Sequence, residues 1–313
     1  MKKVKIKIPA KLNLTLDIVG LNNGYHDLES LVCSINIYDK ITVSKRKNYS
    51  TTLKSKGRDV GCEVFNNNAY KTAVEFCKKY NQMGVDILLE KQIPVASGLG
   101  GSSADIAGVL LACKRLFKID ADLNDLASKL GSDSCYMLKG GFAVLKGKGD
   151  IVEYHPIKRR LYFVILTSPQ ILLAKDCYQA FDKANQTYPK CTYSALKELK
   201  AGNINGMIQV MGNHLYPQAK NLVPNIENNI KYLDVFSKGF MTGGGTATFA
   251  VFDSKKKMNL AYKILKTRFG DSVLKAHSVF NFFSYFTLTF TPTPQARRIH
   301  QACRGNCGRR HRP

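Results

Sequence analysis

Apolar and polar positions change period often along this chain, which divides it into short elements. "VKIKI" (4–8) and "LNLTLDIVG" (12–20) alternate apolar with polar residues, as do "YDKITVSKRK" (38–47) and "VDILLEK" (85–91). This is the two-residue period of a strand with one covered face. "NNNAYKTAVEFCKKYNQMG" (66–84) instead places Ala69, Ala73 or Val74, Phe76 and Cys77 on one stripe and closes on Gly84, so it predicts a helix. "SSADIAGVLLACKRLF" (102–117) predicts a second helix, with Ile106, Val109, Leu110, Cys113 and Leu116 at helical intervals, and "LNDLASKLG" (123–131) a shorter third. "GGFAVLKGKGDIVEYH" (140–155) has the form of a glycine-flanked hairpin.

"RRLYFVILTSP" (159–169) is the strongest single strand pattern and opens a second half. Helical stretches follow at 174–185, 192–213 and 223–236. "GFMTGGGTATFAVFD" (239–253) is a glycine turn running into a strand, and 256–270 is a last helix. Strands and helices mix without strict βαβ alternation, which predicts an α+β architecture rather than a doubly wound sheet. The domains expected are 1–158, 159–280 and a tail, 281–313. No apolar run approaches the roughly 18 residues of a membrane span. The N-terminus lacks the continuous apolar stretch and small-residue cleavage site of a signal peptide, so a cytoplasmic protein is expected.

Charge changes the picture little. The net charge of +24 raises the possibility of a nucleic-acid binder. The charge is spread along the chain, however, as it is in a Lys-rich surface or in a protein whose positive field favours phosphorylated small molecules. Neither a nucleic acid nor a membrane is expected as partner, and a monomer or weak homodimer is expected. Most of the nine cysteines sit in apolar stretches and none forms a CxxC pair, so buried reduced thiols are expected. The tail differs from the rest: it holds Arg297, Arg298, Arg304, Arg309, Arg310 and Arg312, and no Lys, Asp or Glu follows residue 280. Such a switch suggests out-of-frame translation or an appended extension. His300, Cys303, Cys307 and His311 have spacings that zinc could use, but dense arginine surrounds them. The tail is read as disordered and without function, and no metal site is assigned.

The segment with most chemical content is "PVASGLGGSSADIAG" (94–108), which sets glycines directly against a helix start. The first turn of a helix exposes unpaired N–H groups and the positive end of the macrodipole. Glycines before it let backbone wrap an anion closely. Gly98, Gly100 and Gly101 supply that freedom, while Ser102 and Ser103 can cap the helix and offer hydroxyls to phosphate oxygens. Neither GxxxxGK[ST] nor GxGxxG is present. Taken alone, the segment has a second reading, an ordinary glycine turn before a capped helix.

Two other segments accompany it. "PAKLNLTLDIVGLNNGYHDLES" (9–30), "PVASGLGGSSADIAG" and "MTGGGTATFAVF" (241–252) resemble, in order and spacing, the three motifs of the GHMP kinases. The G-Y-H turn in the first is similar to the branch acting on 4-diphosphocytidyl-2-C-methyl-D-erythritol. The resemblance covers residues 1 to about 278. It implies an N-terminal domain like the second domain of ribosomal protein S5, a ferredoxin-like C-terminal domain, and a site in the cleft between them. It also implies ATP and Mg2+ as cofactors and a cytidine diphosphate-linked methylerythritol as small-molecule substrate.

By the same resemblance Lys11 and Asp133 (in "LGSDSCYML") would be catalytic, the carboxylate acting as general base. A Lys–Asp pair suits that task, because the ammonium steadies a developing alkoxide. Read without the resemblance, Lys11 is a solvated strand lysine and Asp133 a helix cap. Asn67, Lys91, Pro94 and Gly98–Leu99–Gly100–Gly101–Ser102–Ser103 would bind the nucleotide. Asn13, Tyr25, His26, Tyr178, Gly243, Gly244 and Gly245 would bind the acceptor. The chain departs from the family pattern at Ser134–Cys135, where Val-Pro is usual, at Leu21–Asn22–Asn23 before the GYH, and in the length of the glycine loop. Another GHMP kinase, of mevalonate or homoserine type, and a catalytically impaired homologue are the competing readings.

Overall fold

Two β-sheets merge along one long strand. The computed structural model describes residues 2–22, 24–59, 61–280 and 286–290. Its first half runs β1 (Lys2–Asn13), β2 (Asp17–Asn22), β3 (Tyr25–Lys45), β4 (Thr52–Gly57), α1 (Asn68–Lys79), β5 (Val85–Lys91), α2 (Gly101–Phe117), α3 (Asn124–Leu130), α4 (Ser134–Met137), β6 (Phe142–Gly147) and β7 (Ile151–His155). The second half runs β8 (Tyr162–Leu166), α5 (Ala174–Ala184), α6 (Thr192–Lys200), α7 (Ile204–Val210), α8 (Tyr216–Leu222), α9 (Asn225–Asp234), β9 (Gly239–Met241), β10 (Thr248–Phe252), α10 (Lys255–Phe269), β11 (Val273–Val279) and β12 (Phe286–Phe290).

β3 is the axis: β1, β2, β5, β6 and β11 all pair with it, antiparallel. Its register with β1 slips beside Pro9, where Pro9 faces Tyr38 and Ala10 faces Ile35. Proline has no N–H for the ladder, and an irregularity is where a strand tolerates it. The released residue Asn36 accepts the His277 N–H at 2.7 Å, next to the point where β11 docks on Ser34 and Ile35. The β11–β8–β10–β9 part of the sheet has the 4-1-3-2 strand order of a ferredoxin-like unit.

The largest core runs across residue 158. It joins Ile8, Leu12, Ile41, Phe76 and Val109 to Leu196 and Met207 of α6 and α7 and to Phe163 and Phe249 of the second sheet. The division at 158 is therefore one of chain order, not of cores. α2 lies so close to the sheet that a Cβ on Gly108 would stand 2.4 Å from Ile41 Cδ1. Among the described residues no helix is long and apolar enough to cross a membrane. Their seven cysteines are unpaired, and six of these are buried.

Three expectations change. The continuous helical pattern at 192–213 is two helices, because Asn203 accepts the Gly206 N–H at 3.0 Å and starts a new one. Tyr25 and His26, read as part of a turn, already belong to β3. Within the tail expected to be disordered, Phe286–Phe290 forms a strand antiparallel to β1, with Ile6 opposite Phe286 and Lys2 opposite Phe290. "FTLTF" has strand period and strand-favouring residues that its arginine-rich surroundings obscured. His300, Cys303, Cys307 and His311 lie outside the described residues.

A buried carboxylate fastens the two halves. Asp17 on β2 is fully buried; its Oδ2 accepts the N–H groups of Cys191 (3.0 Å) and Thr192 (2.9 Å) at the start of α6. His214 accepts the Ile18 N–H on Nδ1 (3.0 Å), which leaves Nε2 as donor, 3.3 Å from Asp17 Oδ1. Asp17→Ala strands these buried donors and should cost about 3 kcal/mol of unfolding free energy. Urea melts monitored by circular dichroism check this, and an unchanged midpoint would remove Asp17 from its role.

Candidate active site

Lys11 lies where β1 becomes covered on both faces. Lys5 and Lys7 upstream are exposed, whereas Lys11 is 4% exposed. A buried ammonium needs partners to offset its lost hydration. Its Nζ pairs with Asp133 Oδ2 at 3.1 Å and donates to Asn13 Oδ1. Its backbone N–H donates to Leu99 O at 3.0 Å, tying the first glycine loop to the strand. Asp133 stands at the N-cap position of α4 but makes no capping bond with its side chain. Its carboxylate is turned to Lys11 instead.

Asn13 connects this pair to the second glycine loop. Its backbone N–H donates to Thr242 Oγ1 at 2.9 Å and its Nδ2 to Ser30 Oγ at 2.7 Å. Asn213 supports that loop from behind, donating to Met241 O (3.1 Å) and Gly243 O (2.9 Å). The two loops then pack backbone to backbone. A Cβ on Gly98 (φ +83°) would meet Thr242 O at 2.3 Å, and one on Gly245 would meet Gly98 N at 2.3 Å. A Cβ on Gly100 (φ +73°) would meet Met137 Cε at 2.5 Å and Lys11 Cγ at 2.8 Å. These glycines are required by neighbours within the protein as well as by any bound anion.

α2 starts at Gly101, with Gly100 as an N-cap that has no side chain to contribute. Ser102 and Ser103 therefore stand inside the first turn rather than capping it, and Ser102 Oγ accepts from Asn68 Nδ2 at 2.5 Å. The open helix end lies on a cavity of about 300 Å³ lined by Asn67, Lys91, Pro94, Gly98, Leu99, Gly100, Gly101, Ser102 and Ser103. A second cavity, of about 690 Å³, is lined by Lys11, Asn13, Tyr25, His26, Asp133, Tyr178, Gly243 and Gly244. The two cavities adjoin where Lys11 packs on Gly100. Gly245 faces Gly98 and lines neither.

The description of the GHMP kinases N terminal domain matches residues 67–145, which span α1, α2 and the Asp133 turn. The 4-diphosphocytidyl-2-C-methyl-D-erythritol kinase of Thermosipho africanus is 35% identical over 255 residues, covering 79% of this chain and 90% of that protein. The kinase of the same name from Clostridium beijerinckii is 31% identical over 278 residues, covering 86% and 98%. This chain belongs to the 4-diphosphocytidyl-2-C-methyl-D-erythritol kinase family. A crystal structure of a 4-(cytidine 5'-diphospho)-2C-methyl-D-erythritol kinase superposes with TM-score 0.74 at 27% identity, over 87% of this chain and 98% of that one. A homoserine kinase from Cytophaga hutchinsonii shares the fold, with TM-score 0.66 at 18% identity over 90% and 95%.

Lys91, expected to touch nucleotide, lies on the cavity wall with its side chain already committed. Its Nζ donates to Asp39 Oδ2 and Asp105 Oδ2 at 2.6 Å each and to Gly101 O at 3.1 Å. An ammonium has three protons, and all three are taken. Asp39 Oδ1 accepts the N–H groups of Gln92 (2.6 Å) and Ile93 (2.9 Å). The cluster joins β3, the end of β5 and the first turn of α2, so Lys91 shapes the loop from behind. Asn67 likewise spends its Oδ1 on the Ala69 N–H at the start of α1.

Other residues of the site went unnoticed in the sequence. Lys129, Lys148 and Lys175 line the larger cavity and make it positively charged, but lysine is too common in this chain to stand out. Gln179 and Asp182 line it with Tyr178, one turn apart on α5. That i, i+4 spacing was readable, although nothing in it says which face of α5 is covered.

Lys91→Met removes the cation between Asp39 and Asp105, leaves the buried Asp39 carboxylate without its counter-ion, and should lower stability by about 3–5 kcal/mol in urea unfolding; a loss under 1 kcal/mol would contradict the clamp. Burial, opposed by Lys91, pushes the Asp105 carboxyl from 3.8 up to about 7. The folded protein then holds that proton more tightly than the unfolded chain. Between about pH 4 and 7, wild type should lose stability relative to Asp105→Asn as pH rises. Parallel pH dependences of the two unfolding midpoints would show that Asp105 carries no such proton.

Proposed function

We propose that the protein transfers the γ-phosphoryl group of ATP to the 2-hydroxyl of 4-diphosphocytidyl-2-C-methyl-D-erythritol, in the cytoplasm, as a step toward isoprenoid precursors. The observation that carries this reading is the Lys11–Asp133 pair, 3.1 Å apart at the junction of two cavities. Relatives bearing that kinase name over most of the chain favour it above a mevalonate or homoserine kinase. The intact pair counts against an impaired homologue.

In phosphoryl transfer, positioning and charge neutralisation provide most of the catalysis. The smaller cavity would take ATP, with its phosphates at the uncapped end of α2, where free N–H groups and the helix dipole favour anions. Gly98 and Gly100 keep the loop backbone in the left-handed region that shapes this end. Ser102 and Ser103 add hydroxyl donors. Mg2+, when bound to the phosphates, would neutralise charge on the transferring group. The larger cavity would take the acceptor, its diphosphate among Lys129, Lys148 and Lys175 and its base beside Tyr25, His26 and Tyr178.

Asp133 then accepts the proton of the attacking hydroxyl through a carboxylate oxygen. Lys11 orients that carboxylate and offsets the negative charge that builds on the acceptor oxygen. Asn13 holds the ammonium in place, and Gly243 leaves the approach open, since its own Cβ would come within 3.6 Å of Lys11 Nζ.

Asp133→Asn should lower kcat at least about 100-fold, the usual worth of a general base, with ADP affinity changing less than about twofold. Coupled assays with the cytidine-bearing acceptor and titration calorimetry with ADP read the two quantities. Near wild-type turnover by the variant, or turnover of mevalonate in place of the cytidine compound, would overturn the assignment.

A further inference from the structure

His26 is held in a way that the reaction itself does not require. Its Nε2 lies 2.7 Å from Asp182 Oδ1 on α5. Its ring stacks on Tyr178, with centroids 4.8 Å apart and planes at 21°, and meets the edge of Phe181 at 6.3 Å. All three α5 residues come from a single face near the end of the helix, at 178, 181 and 182. The His26 side chain is 14% exposed and that of Asp182 is 54% exposed. Both line the larger cavity.

We propose that Asp182 is a positioning residue that selects a cytosine over a uracil base by fixing the tautomer of His26. This rests on the function proposed above. A carboxylate can only accept, so the hydrogen between Asp182 and His26 belongs to Nε2. A neutral imidazole then carries no hydrogen on Nδ1, and Nδ1 becomes the acceptor left for a ligand. Cytosine presents an exocyclic amino donor where uracil presents a carbonyl acceptor. An acceptor on the protein pairs with the amino group and meets the carbonyl lone pair against lone pair. The stack on Tyr178 and the edge of Phe181 keep the ring from turning over to present its other nitrogen.

A purely structural role predicts something different. Asp182 also joins the β2–β3 hairpin to α5, and its removal could loosen the cavity for every ligand alike. Its negative charge also faces a cavity lined by four lysines, Lys11, Lys129, Lys148 and Lys175, so its removal could strengthen binding of every anion alike. Neither effect separates CDP from UDP, and the ratio of the two affinities isolates the tautomer.

The test is calorimetric titration of CDP and of UDP into the full chain saturated with ADP. Wild type, Asp182→Ala and Asp182→Glu are compared, with thermal melts to verify folding. Wild type should bind CDP about tenfold or more tighter than UDP, the order of one hydrogen bond made against one left unmet. In Asp182→Ala the ratio should fall to within about twofold of one, and Asp182→Glu, which retains a carboxylate, should recover most of it. A ratio kept in Asp182→Ala overturns the proposal, even when both affinities shift together. If the alanine variant does not fold, a wild-type ratio near one overturns it, and a glutamate variant that keeps the preference supports it. Wild type that phosphorylates the cytidine acceptor yet binds CDP and UDP equally loses this inference and keeps the proposed function. Wild type that does neither loses both.

Discussion

A single ammonium buried between two glycine loops organises this protein. Lys11 is one residue on a strand, yet its backbone holds the first loop through Leu99, its stem packs on Gly100, and its Nζ meets Asp133 and Asn13. Asn13 in turn reaches Thr242 and the second loop. A charge this deeply covered is tolerated only with partners in place. Folding around it therefore brings together segments as far as 229 residues apart: β1, the α2 entrance, the α3–α4 turn and the β9–β10 loop.

The glycine loops illustrate how one residue type meets two demands. Their absent side chains leave the end of α2 open, as an anion site needs. They also allow two backbones to touch, because Gly98 and Gly245 approach where any Cβ would collide. Behind the loop, the Asp39–Lys91–Asp105 cluster fixes the first turn of α2 from the protein side. The loop is held on one side by an ion cluster and on the other by its partner loop, which makes a rigid setting at the open end of α2.

The two halves contribute different kinds of group. The Lys11–Asp133 pair and the open end of α2 come from the first half, whereas α5 of the second half supplies Lys175, Tyr178 and Asp182 beside the larger cavity. β11 and Asp17 join the halves, the first by pairing with both β8 and β3 and the second by holding the start of α6. The distance between the Lys11–Asp133 pair and the α5 residues is thus set by a continuous sheet and a shared core.

By itself the sequence determined the local elements and the chemistry on them. Period-two runs such as 4–8 and 85–91, the amphipathic stripe of α1, and the glycines before α2 follow from short-range sterics and hydrogen bonding, which act within a few residues. Lys11, Asp133, His26 and Tyr178 were candidates through the resemblance to the GHMP kinases alone; without it Lys11 was a solvated strand lysine and Asp133 a helix cap. Only the tertiary structure decided which of their groups are free to act. Lys5, Lys7, Lys11 and Lys91 are alike in the chain, but two are solvated, one is paired with Asp133, and one is spent on Asp39 and Asp105. The reason is burial: whether a charge is left in water or forced to take partners depends on chain segments far away in sequence, and no local pattern records them.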